Sequence, residues 1–436
     1  MKLLSIFARG LARLWFRTLR CEGPALPPGP VLLVLNHQNG LLDPLVATAL
    51  LDPPPRFLAK ATLWQIWPLK PLLCLFNPIP VQRPQDSAEG RVSTETTRRT
   101  FESVHAAFYQ GERVALFPEG ISHSMADLAP LKTGAARLAL SSPIAPQLIP
   151  AGLVFGDRSR FRHSVLLRLG APIAYEDLRL RGVDAEAVLE LTRRMRAALY
   201  PLTLHAPQEH ILRLAQDLAW LLAEAPGERV HLDALRGRVQ ALLPHLGTLP
   251  EATLRTLRER VSTVQRWLQD TGLRPDQVGY PYPWQEVWRW LPRALGRLAF
   301  WILLLPCGLL FWPPYRLIGW ATARLTDDLD QTATYKLLGG IFCMPLWLLL
   351  LLGLGVYQWG WWTVWVTPLA AFMAFLTLPL TEHLREDVQA VRGFLYRQHQ
   401  ETTRLLEARA QLLSTYPELR NWVTQSETRA QPRHIS

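Results

Sequence analysis

The sequence predicts an α/β domain, followed by a helical region and a C-terminal helical hairpin that crosses a membrane. Between residues 22 and about 205, short apolar runs alternate with helical patterns, as they do in α/β domains. Residues 206–275 are charged and carry Leu, Arg and Glu at helical spacing. From Leu337 to Thr381 the chain contains no Lys, Arg, Asp, Glu or His, which is typical of membrane-spanning segments.

Residues 1–20 predict an amphipathic helix that associates with a membrane surface. Leu4, Phe7, Leu11 and Leu14 recur at helical spacing opposite a cationic face. A helix packed on the core of the domain is an equally good interpretation of this pattern. Arginines interrupt the apolar residues and no small-residue cleavage site follows, so we do not expect a signal peptide.

Residues 21–205 form the predicted α/β domain, with apolar runs as strands and periodic segments as helices. The predicted strands are 31–35, 56–60, 78–82, 113–117, 147–155 and 164–170. The predicted helices are 43–51, 62–75, 90–110, 130–141 and 185–199. Gly111 follows the third of these helices as a C-cap residue would.

Residues 206–292 predict an accessory helical region whose function the sequence does not indicate. Breaks are expected at Pro226-Gly227 and at Pro244.

Residues 293–381 predict a membrane module, and residues 382–436 a charged helical tail. Forty-five uncharged helical residues would extend about 67 Å, roughly twice a ~30 Å hydrocarbon core. A hairpin of helices 337–357 and 361–380 accounts for this length, with tryptophans near the turn at interfacial depth. The segment 298–320 contains Pro306 and predicts a re-entrant or interfacial element rather than a full crossing.

The net charge of +11 indicates a polyanionic partner, either anionic lipid or nucleic acid. The basic residues are dispersed rather than clustered with aromatics, which argues against nucleic acid. Arginines on every segment that flanks the apolar helices predict that these segments are cytoplasmic. We therefore expect an integral membrane protein with its α/β domain on the cytoplasmic face, such as that of a bacterial inner membrane. The four cysteines lie far apart without C-x-x-C spacing, so neither disulfides nor a zinc site are expected.

The segment from Asn36 to Asp43 carries the strongest chemical signal. His37 follows a predicted buried strand, and Asp43 stands just beyond a turn at Asn39-Gly40. A histidine and a carboxylate at a strand end form a candidate base and its orienting group. Asp43 also precedes Pro44, which predicts that it caps the following helix, and one carboxylate could do both.

Further polar residues follow other predicted strands. Phe117-Pro118-Glu119-Gly120 ends one strand in a turn where Gly120 permits unusual backbone angles. Cations at strand ends would form an anion pocket, although each alone could equally be a solvated surface charge. These cations are Lys60, Arg83 and, before a helix, Lys132.

These segments resemble the four sequence blocks of the phospholipid/glycerol acyltransferase family. The blocks are the His-Asp block at 36–43, the arginine block at 77–83, the Phe-Pro-Glu-Gly block at 117–120 and the Ile-Pro block at 149–152. The match covers roughly residues 20–205. The His-Asp spacing is one residue longer than in most of the family. That spacing, with Leu131–Ala135 and Tyr335–Gly340, resembles the branch of yeast-type glycerol-3-phosphate/dihydroxyacetone-phosphate acyltransferases.

The resemblance implies a mixed sheet flanked by helices, and an O-acyltransferase site. His37 would be the general base and Asp43 its orienting group. Arg83, with Lys60 as a weaker candidate, would bind phosphate, and Glu119 with Gly120 would organise the acceptor site. Where most of the family has Thr-Arg after this turn, Ile121-Ser122 stand here, so His123 or Lys132 is the expected substitute.

The resemblance also implies the substrates: an acyl thioester on CoA or acyl carrier protein, a phosphorylated glycerol acceptor and surrounding membrane lipids. No metal or other cofactor is implied. The motifs leave open whether glycerol 3-phosphate, dihydroxyacetone phosphate or lysophosphatidate is acylated. An inactive lipid-binding scaffold is a further alternative, against which the intact set His37, Asp43 and Glu119 argues. The oligomeric state is not indicated.

Overall fold

The computed structural model describes residues 2–83, 93–156, 161–206, 208–222, 232–278, 280, 282–396, 400–419 and 421–422. The chain divides into two compact units. The first consists of Met1–Pro207 together with Asp328–Thr334, and the second of Gln208–Asp327 together with Tyr335–Ser436.

A mixed sheet forms the centre of the first unit, with seven strands among the described residues. The strands are β1 Phe16–Glu22, β2 Val31–Leu35, β3 Arg56–Lys60, β4 Ile79–Val81, β5 Arg113–Leu116, β6 Gln147–Phe155 and β7 His163–Leu169. Their order is β1-β7-β6-β2-β5-β3-β4. Strands β2 to β6 are mutually parallel, whereas β7 is antiparallel to β6 and β1 is parallel to β7.

Helices cover the sheet of the first unit. They are α1 Lys2–Trp15, α2 Leu42–Leu50, α3 Lys70–Phe76, α4 Thr94–Tyr109, α5 Gly134–Ser141, α6 Glu176–Arg179 and α7 Ala185–Leu199. Apolar residues of α4, α5 and α7 pack with β2, β5 and β6 in one hydrophobic cluster. The apolar run of β2 is buried along its whole length, as expected of a central parallel strand.

Most predicted elements of this domain are confirmed, and the differences have local causes. Residues 16–22 are the strand β1 rather than the end of a helix, because they pair with β7 and form one edge of the sheet. The predicted helix 62–75 is instead a 3₁₀ turn at Ala61–Gln65, a second at Trp67–Leu69 and the short α3, since Pro68 and Pro71 interrupt the helical hydrogen bonds. The strand β1 and the short α6 were not predicted.

The remaining helices of this domain agree with prediction to within a few residues. The helix predicted at 130–141 begins only at Gly134. Residues 90–92 of the helix predicted at 90–110 lie outside the described residues, and α4 begins at Thr94 with Ser93 as its N-cap. Its C-terminal glycine, Gly111, has the left-handed φ of +70° that suits it to end a helix.

The N-terminal helix α1 has one face packed and another exposed. Ala8, Ala12 and Trp15 are buried, and α1 packs on α2. Ile6 and Phe7 are exposed. The packed face supports the interpretation of a helix on the domain core, while membrane association through the exposed face stays a prediction.

The second unit is helical. Its helices are α8 Glu209–Leu221, α9 Leu232–Leu246, α10 Glu251–Thr271, α11 Trp284–Leu310, α12 Trp312–Leu325, the part of α13 (Leu329–Trp359) from Tyr335 onwards, α14 Thr363–Tyr396 and α15 Gln400–Thr415. Pro226-Gly227 lies outside the described residues. The break predicted at Pro244 lies two residues further on, because Pro244 is in the last turn of α9 and the helix ends at Leu246.

Three helices among the described residues are long and apolar enough to cross a membrane: α11, α13 and α14. A break between two helices lies where the turn was predicted, since α13 ends at Trp359 and Gly360 adopts a left-handed φ of +91°, and the hairpin itself stays a prediction. The re-entrant segment predicted at 298–320 is instead split between α11, which continues through Pro306, and α12, which begins beside Pro313-Pro314. The tail predicted to begin at 382 is continuous with α14 as far as Tyr396, and residues 423–436 lie outside the described residues.

Candidate active site

The site lies at the C-terminal edge of the parallel strands, where β2 and β5 end side by side. Val34 of β2 is the register partner of Leu116 of β5. His37 follows β2, and the Phe-Pro-Glu-Gly turn follows β5. Because parallel strands end at the same edge, two segments that are eighty residues apart in sequence meet there.

His37 and Asp43 form a direct pair. The Nδ1 atom of His37 lies 2.8 Å from Oδ2 of Asp43. The same oxygen accepts hydrogen bonds from the backbone N–H groups of Gln38 and Asn39, both at 2.8 Å. A carboxylate at Nδ1 favours the tautomer in which Nδ1 carries the proton and Nε2 has a free lone pair. The pair therefore presents Nε2 as a base.

Asp43 orients the turn rather than capping the helix. Helix α2 begins at Leu42, with Leu41 in the capping position, so the prediction that Asp43 is the N-cap is wrong. The carboxylate bonds to the backbone that precedes it, and its place in the first helical turn also favours its negative charge.

Aromatic packing fixes the plane of the imidazole. The rings of His37 and Phe117 are stacked, with centroids 4.0 Å apart and an interplanar angle of 12°. Phe57 stacks on Phe117, with centroids 5.6 Å apart. The His37 side chain keeps 17% of its surface exposed, so the ring is held in place and still reaches solvent.

Glu119 is buried, and its carboxylate forms hydrogen bonds inside the protein. Its Oε1 accepts the backbone N–H of His37 at 2.7 Å, and its Oε2 accepts the backbone N–H of Ala129 at 2.8 Å. Oε2 also contacts Nε2 of His123. The residue is 2% exposed, so Glu119 would organise the acceptor site through the backbone, and that role stays a prediction. The carboxylate holds the backbone at the base.

His123 is likewise buried, and its ring faces Glu119. Its backbone N–H donates to the carbonyl of His37 at 3.2 Å. The expectation that His123 replaces a phosphate-binding arginine is therefore disfavoured, because Nε2 is already engaged inside the protein.

Two of the predicted cations converge on Gly120. Nη1 of Arg83 donates to the carbonyl of Gly120 at 2.9 Å. Gly120 has a φ of +73°, and a Cβ built there would lie 2.8 Å from Nζ of Lys132. Lys60 ends β3 beside Val81 of β4 and is exposed, and no contact with the turn is seen for it in the described part of the chain. Of the three predicted cations, Arg83 and Lys132 are thus the two that lie at this turn among the described residues.

The Ile-Pro block supports the site from behind. The side chain of Asn36, next to the base, exchanges two hydrogen bonds with the backbone of Leu153 on β6, at 3.1 and 2.7 Å. Gly152 lies where β6 passes the 3₁₀ turn Tyr200–Leu202, and a Cβ there would come within 2.6 Å of Cβ of Leu202. Gly152 of this block therefore packs against the 3₁₀ turn inside the protein.

Burial lowers the pKa of His205 to about 4, against the opposing influence of Asp127 and Glu119. Its Nε2 contacts Oγ1 of Thr203 inside the protein. His205 is therefore neutral at pH 7 and is a structural group beneath the site.

Residues far along the chain also reach the site. Oγ1 of Thr334 accepts the backbone N–H of Leu41 at 3.0 Å, and Oγ of Ser122 lies 2.6 Å from Oδ2 of Asp330. These contacts, like the stacking by Phe57, were not predicted. Thr334 and Asp330 carry no sequence signal for this role, whereas Phe57 and Phe117 could have been suspected as aromatics next to strand ends.

Residues 18–154 match the family model described as Acyltransferase. This part of the chain is therefore similar to acyltransferase domains. It is 27% identical over 285 residues to glycerol-3-phosphate O-acyltransferase 2 of Saccharomyces cerevisiae, covering 59% of this chain and 38% of that protein. It is 30% identical over 125 residues to an uncharacterized acyltransferase of Schizosaccharomyces pombe, covering 27% of this chain and 18% of that protein. The chain thus matches well under half of the length of these two relatives.

Among solved structures, the domain is similar to the 1-acyl-sn-glycerophosphate acyltransferase PlsC of Thermotoga maritima. The TM-score is 0.34 at 16% identity, over 46% of this chain and 77% of that one.

Proposed function

We propose that this chain is a membrane-bound O-acyltransferase that transfers a fatty acyl group from an acyl thioester to a hydroxyl of glycerol 3-phosphate or dihydroxyacetone phosphate. The observation that carries the proposal is the His37–Asp43 pair, whose exposed imidazole edge lies beside a turn that Arg83 and Lys132 contact. The acyltransferase domain and the relative named as a glycerol-3-phosphate O-acyltransferase support the same reaction class.

In the proposed reaction, Nε2 of His37 removes the proton of the acceptor hydroxyl while its oxygen attacks the thioester carbonyl carbon. Asp43 stabilises the imidazolium that forms, because its oxygen lies 2.8 Å from Nδ1. The tetrahedral intermediate then expels the thiolate, which takes the proton back from the imidazolium. The products are an ester and a free thiol. General-base help of this kind contributes ~10²–10⁴-fold to the rate.

No metal or prosthetic group is needed in this scheme, since the thioester already supplies an activated carbonyl and a good leaving group. The acyl-enzyme route is equally unnecessary, because the acceptor oxygen attacks directly.

The cations at Gly120 would bind the phosphate of the acceptor. An arginine presents five N–H donors in a planar fork, so Arg83 can hold the Gly120 carbonyl and also face a phosphate. Lys132 would add a second positive charge at the same turn. Phosphate bound there would bring the hydroxyl of a small acceptor towards His37. The His37 ring lies next to the same turn, because it stacks on Phe117.

Membrane location suits these substrates. The acyl chain of the donor and the acylated product are apolar, and α11, α13 and α14 are long and apolar enough to cross a bilayer. We propose that the domain lies on the cytoplasmic face, where the thioester and the phosphorylated acceptor are present, and that bilayer lipids surround the three helices.

Thiol release from palmitoyl-CoA and from palmitoyl-acyl carrier protein tests the proposal directly. The full chain, purified in detergent and returned to phospholipid vesicles, is assayed with glycerol 3-phosphate, dihydroxyacetone phosphate, lysophosphatidate or no acceptor. We expect release that depends on one of the first two acceptors, with a matching lysolipid product.

Each of the other outcomes would overturn a specific part of the proposed function. Turnover with lysophosphatidate and with neither of the other acceptors would show that the proposed acceptor is wrong, while the assignment of His37 as the base would stand. Release without any acceptor would indicate thioester hydrolysis instead of transfer. No release with either donor and any of the three acceptors would overturn the proposed function.

A further inference from the structure

The first two turns of helix α13 belong to the first unit and contact both loops of the site. Residues Asp328–Thr334 cluster with the acyltransferase domain, about 120 residues after the rest of that unit ends at Pro207. Within this segment Ala333 is fully buried and Asp330 is 6% exposed. The same helix continues as a candidate membrane span, Asp330–Trp359.

Thr334 holds the turn between His37 and Asp43. Its Oγ1 accepts the backbone N–H of Leu41 at 3.0 Å. Gly40, the preceding residue, lies so close that a Cβ there would collide with the Thr334 hydroxyl. The turn that sets the His37–Asp43 geometry is therefore closed on one side by Thr334, and Gly40 is the residue that allows this approach.

Asp330 holds the other loop. Its Oδ2 lies 2.6 Å from Oγ of Ser122, two residues beyond Gly120. Ser122 stands where most of the resembling family has an arginine. A hydroxyl that donates to a buried carboxylate cannot serve as a cationic phosphate ligand, so this chain uses the position for an internal contact.

We propose that Asp330 and Thr334 are positioning residues for the catalytic dyad. They hold the His37–Asp43 turn and the Glu119 turn against each other, and so keep the base in register with the acceptor site. The proposal rests on the acyl transfer proposed above.

Thr334→Val tests the first contact, because valine keeps the branched shape and removes the acceptor. We expect kcat to fall about tenfold, the loss typical of one hydrogen bond to an ordered backbone N–H, while KM for both substrates changes less than about twofold. Thr334→Ser should restore kcat to within about twofold. Thr332→Val is the matched control, since the Thr332 hydroxyl donates to the carbonyl of Asp328, just before the helix, and no other hydrogen bond of that hydroxyl is seen among the described residues.

The second contact is tested by a double-mutant cycle on Ser122→Ala and Asp330→Ala. If the two residues form one link, the double variant loses no more kcat than the worse single variant. Additive losses would overturn the assignment of the pair.

Amide hydrogen exchange separates this inference from the proposed function. The peptide that contains Leu41 should exchange at least about fivefold faster in Thr334→Val than in Thr332→Val, whether or not the chain transfers acyl groups. Equal exchange in the two variants, or a kcat for Thr334→Val equal to that of Thr332→Val in an active protein, would overturn the positioning role. If the wild-type chain releases no thiol but the two variants still differ in exchange, only the proposed acyl transfer would be overturned.

Discussion

Replacing Glu119 by Gln is expected to damage the site from within, although it preserves the size of the side chain. One carboxylate oxygen accepts from His37 N at 2.7 Å, and the other accepts from Ala129 N at 2.8 Å. An amide has only one carbonyl oxygen, so in either orientation its NH₂ group faces one of these backbone donors. At least one buried N–H group then loses its partner.

The size of the effect follows from that count. A buried donor left without a partner costs about 1–3 kcal/mol. For a domain of this size, each kcal/mol lowers the midpoint of thermal unfolding by about 2–4 °C, so we expect a decrease of roughly 2–12 °C. The kcat for acyl transfer should fall by at least about tenfold, because Glu119 bonds directly to the backbone of His37.

The assay is thermal unfolding of the purified chain in detergent, followed by turnover at a temperature where both proteins are folded. Glu112→Gln is the matched control, since it makes the same chemical change in a partly exposed ion pair with Arg56. Surface pairs contribute about 0–1 kcal/mol, so this control should unfold within about 4 °C of wild type. Equal midpoints of thermal unfolding and equal kcat for the two variants would refute the claim that Glu119 holds the backbone of the site through its two buried hydrogen bonds.

Three further predictions concern the acceptor site, the packing behind it and the response to pH. Arg83→Lys keeps the charge and loses the planar fork, so KM for the phosphorylated acceptor should rise about tenfold with kcat little changed in steady-state assays. Gly152→Ala forces a Cβ against Leu202, and the thermal midpoint should fall by several degrees or the protein should fail to fold. The pKa of His205 is about 4 when folded and 6.5 in the reference state, so the unfolded chain binds the proton first as pH falls. Stability is therefore complete above about pH 6.5 and declines towards pH 4, by about 2 kcal/mol between pH 7 and pH 5, and His205→Gln should flatten that part of a denaturation profile.

The sequence was enough to predict the parallel strands, because each is an apolar run between turn signals. It failed at β1, where Phe16–Glu22 alternates with charged residues and becomes a strand only by pairing with β7. It also failed where prolines broke the helix expected at 62–75 into short turns. In these places the local pattern was ambiguous, and the outcome depended on tertiary contacts that the pattern does not contain.

At the site, the sequence identified the groups better than their contacts. The pairing of His37 with Asp43 was predicted from a strand end and a turn, and the structure brings them to 2.8 Å. Glu119 was expected to organise the acceptor site, and the structure shows that its two oxygens bond to the backbone. A motif shows which residue types are present, whereas burial decides whether a carboxylate meets substrate or protein.

The contacts from Thr334 and Asp330 were beyond prediction from the sequence. Thr334 bonds to a residue 293 positions away, and Asp330 to one 208 positions away. The start of a long apolar helix gives no pattern that would indicate such partners. Only the folded arrangement shows that this helix begins beside the dyad.

The central claim is that Nε2 of His37 is the base, and the most direct measurement is the turnover number of His37→Ala in acceptor-dependent thiol release. We predict a fall of at least about 100-fold, with thermal midpoint and membrane association unchanged from wild type. His105→Ala, a change of the same kind on α4, should retain wild-type turnover. A folded His37→Ala protein whose turnover stays within a few-fold of wild type would contradict the account.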